Sequence, residues 1–230
     1  MKLLDCYCGA GGATEGYRRA GFDVTGVDLN PKAMTEWNER HLKQGGPSYC
    51  MSVLDLIEKL GLDWLRSFDL IHASPPCQHF AMPVVTQWKA RRKDFPDLVK
   101  ATRAMLEAIG KPYVIENVMN APIRRDLVLC GTMFGLRVIR HRAFEVSGFL
   151  ANPPAHPKHE PRVKDPRRKR GGHSAYYQVA GNGGESPDFT LANWRAAMGV
   201  VWPMSKGALV ESIPPAYAEY IGRAFLAARS

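Results

Sequence analysis

Phe68-Asp69-Leu70-Ile71-His72-Ala73-Ser74-Pro75-Pro76-Cys77-Gln78 is the stretch from which the rest of the chain is read. Its apolar run is too short for an ordinary helix and is closed by two prolines, which predicts a buried strand that stops pairing and turns outward. The prolines fix their own φ and restrict the residue before them. Cys77 is therefore carried on a rigid mount at the carboxyl end of a strand, the edge at which open α/β sheets bind ligands. A free cysteine is more often a small buried hydrophobe than a nucleophile. The case for chemistry depends on what else the chain delivers to the same edge.

Upstream, Lys2 to Tyr7 reads as a strand, and Cys8-Gly9-Ala10-Gly11-Gly12-Ala13-Thr14-Glu15-Gly16 as the turn that opens a helix running to about Arg19. Such glycines let the backbone approach a ligand, and the helix start offers unpaired N–H groups. Thr14 stands where the dinucleotide fingerprint has its third glycine, so the motif is not G-x-G-x-x-G. Gly21 to Asp28 is the second strand, and its terminal acid falls about 20 residues past the turn, the distance of a ribose-binding carboxylate. Asp28 is assigned the sugar hydroxyls, with capping of the helix that starts at Pro31 as its structural alternative. That helix, to about Arg40, covers the sheet. Ser52-Val53-Leu54-Asp55-Leu56 is expected to end a third strand, with Asp55 either accepting from a purine amino group or serving a turn.

Downstream, Gln78 to Pro96 is long, polar and basic, includes Gln87, Trp88, Arg91 and Arg92, and reads as a lid that brings cations to a phosphate backbone. Asp97 to Ile109 has the period of an amphipathic helix. Pro112 to Val118 is another buried strand, and its Glu116 shares the sheet end of Cys77. Burial raises a carboxyl pKa, which lets Glu116 donate a proton to a ring nitrogen; an ion pair with an arginine is the plainer alternative. Cys130 to Leu136 turns into Arg140-His141-Arg142-Ala143-Phe144-Glu145-Val146, whose alternation aims Arg140 and Arg142 to one side. Asn152 to Glu185 is rich in Pro, Gly, His, Lys and Arg and reads as an inserted loop region. Helices follow from Thr190 to Met198 and from about Pro215 to Ala228, the last packing back on the first strand.

The chain has 230 residues, 45% of them apolar, enough for one sizeable core. The net charge is +9 and the pI near 9.4, and the cations gather at Lys89–Lys93 and Arg162–Arg170, which favours a nucleic-acid partner. No run spans a membrane and no secretory signal is visible, so the expected location is cytoplasmic. The five cysteines lack zinc spacing; reduced thiols, no metal and a monomer are expected.

In order and over almost the whole length, these segments resemble the DNA (cytosine-5) methyltransferases, with the compact layout of small phage-type members. Asp5-Cys6-Tyr7-Cys8-Gly9-Ala10-Gly11-Gly12 is similar to their cofactor motif and Pro75-Pro76-Cys77-Gln78 to their catalytic motif. Glu116-Asn117-Val118 is similar to their ENV tripeptide and Arg140-His141-Arg142 to the R-x-R of the next motif. The resemblance implies a Rossmann-like S-adenosylmethionine-dependent methyltransferase sheet with helices on both faces and a small target-recognition insertion. Residues 1–148 would form the catalytic and cofactor domain, 149–189 the insertion and 190–230 its completing helices.

The resemblance further implies S-adenosylmethionine held by Tyr7, Gly9, Ala10, Gly11, Gly12, Asp28, Leu29, Asp55, Leu56 and Pro75. Cys77 would add to carbon 6 of a flipped-out cytosine, with Glu116, Arg142 and Arg140 in the base pocket. Gln78, Arg91, Arg92, Arg167, Arg168, Lys169 and Arg170 would contact DNA. The chain departs from the family pattern at Val138, where a glutamine usually precedes the arginines, and at Glu211, where an asparagine usually borders the cofactor. A catalytically silent nucleic-acid binder, an amino-methyltransferase, another methyl donor and an RNA substrate stay open as alternatives.

Overall fold

The computed structural model describes residues 1–44, 46–81, 96–159, 176–177, 179 and 190–229. Its strands are β1 (Lys2–Cys6), β2 (Asp23–Asp28), β3 (Ser48–Cys50), β4 (Leu70–Ala73), β5 (Tyr113–Asn117), β6 (Leu127–Leu129) and β7 (Arg142–Ser147). They form one sheet in the order β3-β2-β1-β4-β5-β7-β6. β1 to β5 pair in parallel, and β7 runs antiparallel between β5 and β6.

The strands read as near-continuous apolar runs because both faces are covered. Consecutive residues alternate between the faces: Leu3, Leu70, Val114 and Phe144 belong to one core, Leu4, Ile71, Ile115 and Ala143 to the other. The first core is completed by α1 (Gly12–Ala20) and, at the end of the chain, the helix Pro215–Ala227. The second takes Leu56 of the short helix Leu56–Leu60, Leu65 of the helix Leu62–Arg66, and Val99, Met105, Leu106 and Ile109 of the helix Val99–Ile109. In chain order the helices are α1, α2 (Pro31–His41), α3 (Leu56–Leu60), α4 (Leu62–Arg66), α5 (Gln78–Ala81), α6 (Val99–Ile109), α7 (Leu191–Met198), α8 (Lys206–Glu211) and α9 (Pro215–Ala227). A third apolar cluster joins Ala10 and Val138 to Val179, Trp194, Met198, Trp202 and Leu209.

Sheet order positions the site. From β1 the chain moves outward through β2 to β3, then returns to lay β4 on the other side of β1. The crevice beyond the carboxyl ends of β1 and β4 is the topological switch point of the sheet, the place where ligands bind in such folds. β5, beside β4, brings a third strand end to it.

Several expectations are corrected. The third strand is Ser48–Cys50; residues 53–55 form a 3₁₀ turn that leads into α3. α2 is capped by Asn30, whose side chain accepts from the N–H groups of Lys32 and Ala33, rather than by Asp28. The last helix packs on α1 rather than directly on β1, because Gly16 and Gly222 let the two helices approach: a Cβ on Gly16 would overlap the backbone of Pro215. β7 starts at Arg142, so Arg140 and Arg142 are not strand neighbours facing one way. β6 and α8 were not anticipated. All five cysteines are free, Cys50 exposed and Cys6, Cys8 and Cys130 buried. Among the described residues no helix is long and apolar enough to cross a membrane.

Candidate active site

β1 ends in a turn that only partly tolerates side chains. Tyr7 adopts a positive φ of 58°, a conformation an aromatic residue rarely accepts without tertiary support, and its hydroxyl meets the Thr102 hydroxyl on α6 at 2.9 Å. Gly11 caps α1 in the left-handed region at φ 88°, and a Cβ there would overlap the His41 ring. The Gly9 N–H donates to Asp28 Oδ2 at 2.9 Å and the Asn30 N–H to Asp28 Oδ1 at 2.8 Å. Asp28 thus fastens the glycine turn to the end of β2 while its carboxylate borders the cleft.

Thr14, in the place of a third glycine, has a specific task. Its hydroxyl donates to Asp5 Oδ2 at 2.5 Å and accepts from Trp37 Nε1 at 2.9 Å, tying α1, β1 and α2 together. The other carboxylate oxygen, Asp5 Oδ1, is buried with no partner. Burial, opposed by the Thr14 hydrogen bond and aided by the nearby Asp28 charge, pushes Asp5 up to about 7.

The cleft has a volume of about 590 Å³. From the first set of expected residues it is lined by Tyr7, Gly9, Ala10, Gly12, Asp28, Leu29 and Pro75, together with Asp5 on its floor and Ser52, Val53 and Leu54. Gly11, Asp55 and Leu56 do not line it. Gly11 faces α2. Asp55 turns outward to Lys59 at 3.5 Å, and Leu56 is fully buried in the second core, because residues 53–55 coil where an extended strand end was expected. The donor set fits S-adenosylmethionine. An unpartnered buried carboxylate oxygen suits a ligand with cationic centres, Asp28 suits ribose hydroxyls, and the glycine turn leaves room for the ligand against the backbone.

The other end of the cleft gathers Ser74, Pro76, Cys77, Gln78, Glu116 and Arg142. Asn117 Nδ2 donates to the Pro75 carbonyl at 2.9 Å, fastening the proline turn to β5. Arg142 Nε lies 3.1 Å from Glu116 Oε1. Opposed influences act on Glu116. Burial raises its pKa, Arg142, a hydrogen bond from Ser74 and Arg140 lower it, and burial prevails. The Cys77 thiol is also pushed up, first by burial and then by the Glu116 charge, with Arg142 and Arg140 pulling the other way.

Behind Glu116 runs a buried chain of polar groups. The Tyr17 hydroxyl meets His72 Nδ1 at 3.0 Å, and His72 Nε2 meets Ser74 Oγ at 2.8 Å. Where the Ser74 hydroxyl donates to the Glu116 carboxylate, it accepts from His72 Nε2–H, and the bare Nδ1 accepts from Tyr17. Burial holds the His72 imidazole down to about 3, so it stays neutral and keeps one tautomer.

Arg140 is placed differently from Arg142. It is buried outside the cleft lining and donates to the carbonyls of Val179 at 2.7 Å and Val210 at 2.6 Å, while its own carbonyl accepts from Tyr217 at 2.7 Å. Desolvation, with Arg142 beside it, lowers it to about 9. Gln78 borders the cleft and donates from Nε2 to Glu211 Oε1 at 3.3 Å. Glu211 also lines the cleft. Arg91, Arg92, Arg167, Arg168, Lys169 and Arg170 lie outside the described residues.

Sequence reasoning missed Asp5, Tyr17, His72 and Ser74 as members of the site. Asp5 and His72 are register partners on β1 and β4, a pairing visible only once the strands are laid side by side. It also missed a cluster away from the cleft, Cys130, His141, His156 and His159. The expectation of no metal considered cysteine pairs alone, and these groups converge only in three dimensions.

The fold is that of S-adenosylmethionine-dependent methyltransferases, and S-adenosylmethionine is the cofactor. Residues 4–93 match the model of a methyltransferase domain family. The Type II methyltransferase M.AgeI of Thalassovita gelatinovora is 33% identical over 85 residues, 35% of this chain and 20% of that protein. The Type II methyltransferase M.HgiGI of Herpetosiphon aurantiacus is 32% identical over 82 residues, 35% of this chain and 63% of that protein. The chain therefore spans less than two thirds of the curated relatives it matches. The S. pombe Dnmt2 methyltransferase structure superposes over 99% of this chain and 98% of its own with a TM-score of 0.62 at 14% identity, a likeness of fold.

Proposed function

We propose that this protein methylates carbon 5 of cytosine in DNA through a covalent adduct of Cys77 on a flipped-out base. The observation that carries this reading is the meeting of a strand-end cysteine with a buried Glu116–Arg142 pair at one end of a cleft whose floor suits a cationic cofactor. Carbon 5 of cytosine is a weak nucleophile. Addition of the Cys77 thiolate to carbon 6 forms an S–C bond and moves the ring π electrons toward carbon 5, which becomes the nucleophilic end of an enamine. Glu116, whose pKa burial raises, takes up a proton as the base binds and donates it to ring nitrogen 3, which stabilises that charge; Arg142 holds the base carbonyl and keeps Glu116 in place. Bound S-adenosylmethionine supplies an electrophilic methyl group. Once carbon 5 carries the methyl group, its proton passes to solvent water, the C–H pair re-forms the 5,6 double bond, the C–S pair leaves on Cys77 as thiolate, and ring nitrogen 3 returns its proton to Glu116.

Tyr17, His72 and Ser74 orient Glu116 from behind. The basic residues Arg91, Arg92, Arg167, Arg168, Lys169 and Arg170 are assigned to phosphates, and residues 149–189 to target recognition. The test is nucleoside mass spectrometry of DNA from cells expressing the chain, with Cys77→Ala beside it. The expected result is 5-methylcytosine that disappears in the variant. Methylated adenine, cytosine methylated on nitrogen, or product persisting in Cys77→Ala would overturn the reading.

A further inference from the structure

Outside the cleft, Cys130, His141, His156 and His159 bring one sulfur and three imidazole nitrogens within 4.8 Å of one another. They come from separate parts of the chain: Cys130 directly after β6, His141 directly before β7, and His156 and His159 in the segment that leaves the sheet after β7. We propose that these four side chains form a closed, four-coordinate zinc site that anchors the root of the basic segment Arg162–Arg170 to the sheet.

Distance supports the assignment. With bonds of about 2.3 Å to sulfur and about 2.0–2.1 Å to nitrogen, a tetrahedral zinc sets its nitrogen ligands about 3.3 Å apart and sulfur about 3.6 Å from nitrogen. Here His141 Nε2 and His156 Nε2 are 3.1 Å apart, and Cys130 Sγ and His159 Nε2 are 3.5 Å apart. A hydrogen bond between neutral imidazoles would explain the first spacing alone. It would leave unexplained why a buried thiol and a third imidazole converge on the same point.

The surrounding contacts suit a metal as well. His156 Nδ1 lies 2.8 Å from the Pro157 carbonyl; a carbonyl only accepts, so the neutral ring carries its proton on Nδ1 and turns a bare Nε2 toward the cluster. The Thr132 hydroxyl donates to Cys130 Sγ at 3.4 Å, a bond that steadies a thiolate. One thiolate with three imidazoles selects zinc or cobalt over magnesium or calcium, which take oxygen ligands. With four protein ligands no position is left for a substrate, so the role is structural.

The placement gives the site a consequence. His141 sits between Arg140 and Arg142, and Arg142 is paired with Glu116. A metal here ties the start of the segment assigned to target recognition to the strand that carries Arg142. His159 lies three residues before Arg162 in the sequence.

The experiment measures metal on the purified full chain and does not depend on methyl transfer, so its outcome is separate from that of the proposed function. Elemental analysis is expected to find about one zinc per chain, and cobalt(II) exchange a tetrahedral spectrum with a thiolate-to-cobalt band. His156→Asn, at an exposed position, is expected to drop zinc below about a tenth of an equivalent while the far-ultraviolet circular dichroism stays unchanged; Cys77→Ala should keep its zinc. The proposal is overturned by a zinc-free protein after growth in zinc, by full zinc in His156→Asn, by a cobalt spectrum lacking the thiolate band, or by zinc loss in Cys77→Ala.

Discussion

Asn117 donates from Nδ2 to the carbonyl of Pro75 at 2.9 Å, in a fully buried position, so the strand that carries Glu116 also holds the turn that carries Cys77. The two groups to which the proposed chemistry is assigned are linked by one bond between their neighbours. Asn117→Ala leaves a buried carbonyl unpaired, a cost of about 1–3 kcal/mol, and frees the turn. Methyl transfer should fall by about 10- to 100-fold, the equivalent of about 1.4–2.8 kcal/mol, while the affinity for S-adenosylmethionine, measured calorimetrically, changes little. Equal losses in both would show that the bond supports the cleft as a whole.

Cys77 and Glu116 make a separable prediction. The Cys77 thiol is pushed up by burial and by the Glu116 charge, so alkylation of Cys77 in a Cys50→Ser background should accelerate only at alkaline pH. Glu116→Gln removes the opposing charge and leaves Arg142 unpaired beside the thiol. Alkylation at pH 8 should then speed up several-fold, one pKa unit being a factor of ten in thiolate fraction, while methyl transfer collapses. An unchanged alkylation profile would mean that the two groups do not sense each other.

Much of the sheet was legible because both faces of each strand are buried, which writes β1, β2, β4 and β5 as short apolar runs ending in Gly, Pro or an acid. β3 and β6 are three residues each, too short to carry a period, and β3 has no fully buried residue. That Cys77 and Glu116 reach the same cleft was legible because each closes such a run. Asp55 was misread because a strand end and a 3₁₀ turn look alike over five residues. The Tyr17–His72–Ser74 chain was invisible because its members are 55 and 2 positions apart, and only the fold joins them.

Asp5 links stability to pH in a direction unusual for a carboxylate. Its folded value of about 7 lies above the ordinary 3.8, so the folded state holds the proton more tightly and Asp5 costs stability as pH rises from about 4 to 7. Asp5→Asn removes that cost. In urea unfolding, the variant should gain on the parent by about 2–4 kcal/mol between pH 5 and pH 8. The same substitution should weaken S-adenosylmethionine binding at pH 8 more than at pH 5, because only the ionised carboxylate attracts a cation. A stability difference independent of pH would place the Asp5 pKa in the ordinary range.

Arg140 and Arg142 should part company when each is replaced by alanine. Arg140 joins Val179 and Val210 through their carbonyls, the first bond buried and the second part-buried; losing the first alone strands a buried acceptor at about 1–3 kcal/mol. Arg140→Ala should therefore lower the melting temperature by several degrees, and activity should fall with the folded fraction. Arg142 borders the cleft and its guanidinium ends on Glu116, so Arg142→Ala should leave the melting temperature within a few degrees of the parent and reduce methyl transfer by about 100-fold or more. Without that cation the Glu116 carboxyl rises further, and the pH above which activity declines should move upward for any residual turnover. If Arg140→Ala instead kept full stability and lost turnover, the guanidinium would have to reach the base itself rather than hold the wall around it.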